Sequence, residues 1–368
     1  MKFSLKQTFR YFGFLILTLF PFAVSAHEAY VIDRKDFWHE LSMPYDFKAF
    51  DALKDPHNLH ITLSITGGVL IAFFLNFLFR RLWVGEGAHK LVERLAPLGP
   101  FFVRFTIAVS FFFSAQALVF LGPELDLSQM FWPHILQAFL YLISVMIFFG
   151  FLTELAAVIG IAIFSIGFYY YGLYMLTYLN YLGELIVLLL FGMRSWSLDA
   201  LLFGPLKFLK HFEKYETTIV RIFYGVGLAY AGLTIKFLHS ALTESVVINW
   251  HLTQFHWLFP GDPLLVVLGG GLAEITIGLL IVFGFELRMT VLISLFYITL
   301  SLFYFRELVW PHLLLYGISL NLLVQPEIFT LDHIFFEEHR ARKRWWLRPF
   351  SPHRHQGKSL DRESKLKK

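Results

Sequence analysis

The sequence predicts an all-α, polytopic membrane protein: one leading span and two tandem four-helix bundles, about nine transmembrane helices after a signal peptide. Three observations predict it. Of 368 residues, 57% are hydrophobic and 19% aromatic, with mean hydropathy +0.61, against about 45–50% apolar content in a soluble chain. The excess lies in runs of roughly 18–22 residues, the length that spans a bilayer. Basic residues gather in alternate connections, as the positive-inside rule requires of a multi-span chain.

The elements follow in order. Residues 1–26 have the form of a cleaved signal peptide: Lys2, Lys6 and Arg10, then the apolar FGFLILTLFPFAV, then Val24-Ser25-Ala26. An uncleaved anchor is the other reading. Residues 27–59 are polar and aromatic, a cap with interfacial Trp38 and Tyr45. A first span over 60–79 ends in Arg80-Arg81, which sets that end in the cytoplasm. The segment 60–97 thus holds this span and its cytoplasmic loop. Eight further spans are expected at 101–121, 131–150, 154–174, 177–193, 218–239, 263–284, 287–304 and 309–325. Nine spans from an outside start end inside. The tail 341–368 and its approach, HRARKRWWLRPF to SKLKK, are basic, which suits anionic lipid beside a span better than nucleic acid. The location is then a bacterial inner membrane, with the mature N-terminus periplasmic.

The last eight spans divide into two similar groups, 98–214 and 215–340. Arg104 opens one and Arg221 the other. Gly150 parallels Gly284, Gly183 parallels Gly317, and SLDALLFG at Ser197 parallels TLDHIFF at Thr330. The separation is 117 residues between the arginines and 134 between the first glycine pair, so the second group carries 17 more residues. These belong in ALTESVVINWHLTQFHWLFPGDP. Even span counts make the groups parallel, unlike inverted transporter repeats.

Two ionisable side chains need explaining, Lys236 and Glu274. Gly225, Ala229, Gly232 and Lys236 form one helical stripe; Gly270, Glu274 and Gly278 form another. Small residues admit a second helix, and a charge among them faces a bundle interior. If the two runs form a hairpin, Lys236 lies ~22 Å and Glu274 ~15 Å from the shared end at ~1.5 Å per residue. A lysine stem closes most of that gap, so the expectation is a Lys236–Glu274 pair inside the membrane. It reads as a proton or quinone-headgroup site, or as an ion pair that fixes packing. A lysine snorkelling to the interface is a third reading.

Arg221, Gly225, Gly232 and Lys236 on one helix, with Glu274, Gly284 and Arg288 on the next, resemble the DoxX-type membrane proteins. The resemblance covers 215–340 directly, with 98–214 a diverged second unit in which Val119 and Leu140 stand in place of Lys236 and Glu274. It implies a four-helix membrane bundle. It also implies association with redox complexes, since the family takes its name from subunits of a thiosulfate:quinone oxidoreductase. Quinone is the cofactor so implied; exported or membrane redox proteins are the implied partners. Other members are maturation factors. Some use cysteines, and this chain has none, which also excludes thiol catalysis and thiolate metal sites.

Other candidates lie at the outer ends. His239, Arg306, Glu307 and His312 mark a vestibule where a small molecule would bind. His27, His251 and His256 are the candidate metal ligands, without a two-ligand motif. Glu184 reads as a protonated carboxyl bonded to Asn180 or to tyrosines 169–171. Arg104 and Arg221 read as snorkelling toward lipid phosphates. Three functions remain open: a redox-complex subunit, with Lys236 and Glu274 the candidate catalytic groups; a small-solute or ion transporter coupled through the same pair; or a structural or maturation subunit.

Overall fold

The structure, a computed structural model, describes residues 32–83, 94–192, 197–202, 215–254, 261–306, 308–325 and 329–334, with the backbone alone described over 76–83. The signal-peptide segment, His27, His256, Glu307 and the basic tail fall outside these residues. The chain is an all-α polytopic membrane protein.

A short helix, α1 (Arg34–Ser42), and a 3₁₀ turn (Lys48–Lys54) precede the long apolar α2 (Pro56–Trp83). The first group comprises α3 (Gly99–Gln116), α4 (Pro133–Phe149), α5 (Thr153–Tyr171), α6 (Leu179–Phe191) and the short α7 (Leu198–Leu202). The second comprises α8 (Glu216–Ala231), α9 (Ser240–Asn249), α10 (Pro263–Phe283), α11 (Leu287–Tyr304) and α12 (Val309–Val324). Prolines open α3, α4 and α10, where a missing N–H is harmless. The additional residues of the second group fold in part as α9.

Each expected span is therefore a helix. By length and composition, six stretches of the described residues suffice to cross a membrane, one of them, Thr153–Phe191, running through α5 and α6. α4 and α12, of 17 and 16 residues, are shorter.

The two groups do not sit apart. Each helix packs on the next from α3 through α6, and again from α8 through α10, α11 and α12. In addition α6 packs on α8, and α12 packs on α3, so the eight helices close into a ring. One apolar core runs through both groups, from Val103 to Leu322. Where the groups meet, glycine makes the room. A Cβ on Gly183 would lie 2.4 Å from the Cβ of Phe223, and one on Gly317 would lie 2.0 Å from Thr106 Oγ1.

At one end of the ring, two corners carry the same bonds. Gly150 (φ 64°) ends α4 and Leu152 (φ 47°) starts α5. The Asp199 carboxylate accepts from the N–H groups of Leu152 (2.8 Å) and Thr153 (3.0 Å). In the second group Gly284 (φ 63°) and Glu286 (φ 45°) take those places, and Asp332 accepts from the N–H groups of Glu286 (2.9 Å) and Leu287 (3.0 Å). Carboxylates there satisfy the free N–H groups and the dipole of a helix start. The arginines complete the corners. A Cβ on Gly150 would lie 3.0 Å from Arg104 Nη1, and one on Gly284 would lie 2.2 Å from Arg221 Nη1. This corrects the expectation that Arg104 and Arg221 snorkel into lipid. Both are 3% exposed, and Arg221 Nη2 donates to the Phe329 carbonyl at 2.8 Å.

At the other end, residues 32–62 form a strap across both groups. Arg34 pairs with Asp126, and its Nη2 donates to Pro123 O at 2.6 Å; Trp38 Nε1 donates to Glu124 O at 3.0 Å. Farther on, the Asp46 carboxylate caps α9 through the N–H groups of Ser240 (3.0 Å) and Ala241 (2.8 Å). Asn58 Nδ2 donates to Asp262 at 2.6 Å.

Candidate functional site

The crossing of α8 and α10 builds the first site. Gly225 and Gly278 meet backbone to backbone: a Cβ on Gly225 would lie 2.5 Å from Gly278 O, and one on Gly278 would lie 2.6 Å from Gly225 O. A Cβ on Gly232 would lie 2.9 Å from the Glu274 Cβ. Such closeness is what small-residue stripes permit. Beyond Ala231 the helix widens into a π segment, Gly232–Leu238, a distortion frequent at functional sites. It carries Lys236, whose Nζ lies 3.4 Å from Glu274 Oε1 with both side chains buried. The expected pair forms. The lysine does not snorkel; its stem lies along Gly270, near Tyr297 Oη. A lysine–glutamate pair in a low-dielectric bundle is held by mutual attraction, and losing either partner strands the other.

The vestibule residues divide. His239 is buried under the strap, edge-on to Tyr45 at 5.3 Å. Burial holds its imidazole below the usual value, although Asp46 and Glu40 act the other way. Arg306 is exposed, with φ 57°. His312 is buried, its Nδ1 donating to Leu308 O at 3.1 Å. His312 lines a chamber of about 70 Å³ between the groups, with Tyr174, Tyr178, Asn180, Tyr181 and Ile235 among its walls. A benzene ring needs a cavity of about 150 Å³, so a quinone ring does not fit this chamber. Lys236, on the π segment that follows α8, and Glu274, on α10, do not line the chamber.

Above the chamber sits Glu124, 1% exposed, in the connection between α3 and α4. Its Oε1 accepts from Tyr174 Oη at 2.9 Å and from Tyr178 Oη. Burial raises this carboxyl to about 7, against the lowering effect of the two tyrosines and of Arg34. The sequence alone does not single out Glu124 within the acidic connection GPELDLSQ. A signal was present in Tyr174, Tyr178 and Tyr181, at i, i+4 and i+7 on one stripe. Glu184 is buried on α6, as expected of an intramembrane carboxyl.

No group of three His, Cys, Asp or Glu side chains among the described residues is placed to hold a metal ion. His251 is exposed, with φ 53°. The fold and its buried groups define a class: helical membrane proteins with a polar site inside the bundle. Comparison with protein-family models, curated proteins and solved structures finds no match to this chain.

Proposed function

We propose that the chain is a DoxX-like inner-membrane protein, an accessory subunit of a quinone-linked or other redox complex. On this reading it is a duplicated four-helix unit of nine spans, with a periplasmic mature N-terminus and a cytoplasmic tail. The observation that carries the reading is the Lys236–Glu274 pair, 3.4 Å apart in the α8–α10 crossing. A buried charge pair is retained at several kcal/mol of desolvation per ion, and in a membrane such pairs mark proton or ligand sites. Lys236 is the donor that would meet a quinone carbonyl; the chamber is too small for the ring. The accessory role draws on α2. Only 6% of its apolar window is buried within the chain, which leaves its flanks to lipid or to a partner's helix.

The test uses protein purified from native membranes in mild detergent: its absorption spectrum, extracted quinone, bound metals and co-purifying proteins. Stoichiometric quinone or a co-purifying oxidoreductase supports the proposal. Solute flux in proteoliposomes, with neither of these, replaces it with transport. Co-purification of an exported partner that carries no redox group replaces it with a maturation role. Topology is tested separately by a cysteine at Ser245, which labels from outside in intact spheroplasts if the nine-span arrangement holds; labelling only after lysis overturns that arrangement.

A further inference from the structure

We propose that the chamber between the two groups is filled with water and that Glu124 is its proton acceptor, reached through Tyr178. The inference is independent of the Lys236–Glu274 reading, because it rests on Glu124, Tyr178 and Tyr181, none of which belongs to that pair.

The walls argue for water. They combine the hydroxyls of Tyr174, Thr177, Tyr178 and Tyr181 with Asn180 and His312, and none is a carboxylate, lysine or arginine. The chamber exceeds the roughly 10–15 Å³ that one water needs. Tyr181 is 1% exposed; its hydroxyl faces the Ser110 side chain without a hydrogen bond of good geometry to any described residue. Buried hydroxyls are almost always satisfied by protein or water. A water in the chamber supplies what Tyr181 lacks. The same holds one layer higher, where Glu124 Oε2 is buried and without a partner among the described residues.

The geometry fixes the direction of transfer. Tyr178 donates its hydroxyl proton to Glu124 Oε1, and Tyr178 also faces the chamber. When Tyr178 passes that proton to Glu124, its oxygen takes one from a chamber water. Tyr178 ends unchanged, the carboxylate becomes a carboxylic acid, and the chamber water recovers its proton from bulk solvent. No electron moves. His312 donates through Nδ1 to Leu308 O, which fixes its ring at the chamber wall. The charges around Glu124 are few. From the strap comes Arg34, paired with Asp126. From the end of α5 comes Tyr171, donating to Asp126 O at 2.8 Å. Tyr174, Tyr178 and Tyr181 complete the set. Trp38 closes the site from above through the Glu124 carbonyl.

Infrared difference spectroscopy of the full chain in lipid nanodiscs, with ¹³C-glutamate labelling, tests this. A buried carboxylic acid band should appear as pH falls through about 7 and should shift in D₂O. Glu124→Gln should remove it. Tyr178→Phe, which keeps Glu124, should move the band to higher frequency and carries the test if Glu124→Gln does not fold. Ala231→Leu, which fills the chamber, should slow deuterium exchange of that band severalfold. Absence of a titrating glutamate band overturns the proposal. So does a band indifferent to both Tyr178→Phe and Ala231→Leu in folded protein.

Discussion

Gly225 and Gly278 touch through their backbones, each carbonyl oxygen lying 2.5–2.6 Å from where the other residue's Cβ would be. The Lys236–Glu274 pair depends on that contact, since it sets the spacing of α8 and α10. Gly225→Val should lower thermal stability by about 1–3 kcal/mol or more. Gly270→Ala should be nearly neutral, because its Cβ would meet Lys236 at an ordinary 3.5 Å. Thermal unfolding of the two variants in the same detergent checks the contrast.

Breaking the pair on one side should harm more than removing both sides. Glu274→Gln leaves the Lys236 cation without its carboxylate at 3.4 Å, a loss on the order of 3–5 kcal/mol. The double change Lys236→Met/Glu274→Gln should recover much of it. A thermodynamic cycle over the four proteins reads the coupling, and additive effects would show that the contact does not contribute to stability.

The legible parts and the missed parts differ in range. Lys236–Glu274 is legible because both stripes are local patterns and the hairpin between them is a single connection. The corner glycines are legible for the same reason, each followed by a helix start. The arginines are misread because Ser197 and Thr330 fold back beneath the starts of α3 and α8 from far along the chain. Glu124 goes unnoticed because its cover, Trp38, lies 86 residues earlier. The ring is not legible either: spans reveal neighbours in sequence, while the packing of α12 on α3 joins opposite ends of the chain.

Acidity should stabilise the folded chain through Glu124. Its carboxyl is raised from 4.5 to about 7 in the fold, so the folded state binds the proton more tightly than the unfolded state. The contribution is complete below about 4.5 and is lost as pH rises through about 7, a change of about 3 kcal/mol. Melting temperature against pH should fall over that window in the native chain and be flatter in Glu124→Gln.

Asp46 should act with the opposite sign. Burial alone would raise its carboxyl, but N–H groups of Ala241, Lys48 and Ser240 bond the charged form and hold it below the usual 3.8. Its support of the strap is present above that value and lost as pH falls through the lowered one. Asp46→Asn should loosen residues 32–54 at neutral pH, seen as faster hydrogen exchange there, with the α4–α5 corner unchanged.

Asp199→Asn and Asp332→Asn should cost similar amounts, about 1 kcal/mol each, since each carboxylate bonds two N–H groups at a helix start. Paired melting curves test this equivalence.

The packing of α12 on α3 also sets an order of events during synthesis. Ser110 Oγ donates to Trp310 O across 200 residues of chain. When α3 enters the membrane, the helix that will cover its Ser110 and Thr106 has not yet been translated. Until the ribosome has made the last span, that face must be shielded by lipid, by the insertion machinery or by a transient neighbour. A nascent chain stalled before Val309 would therefore be a substrate for membrane quality control, even with its first four-helix group intact.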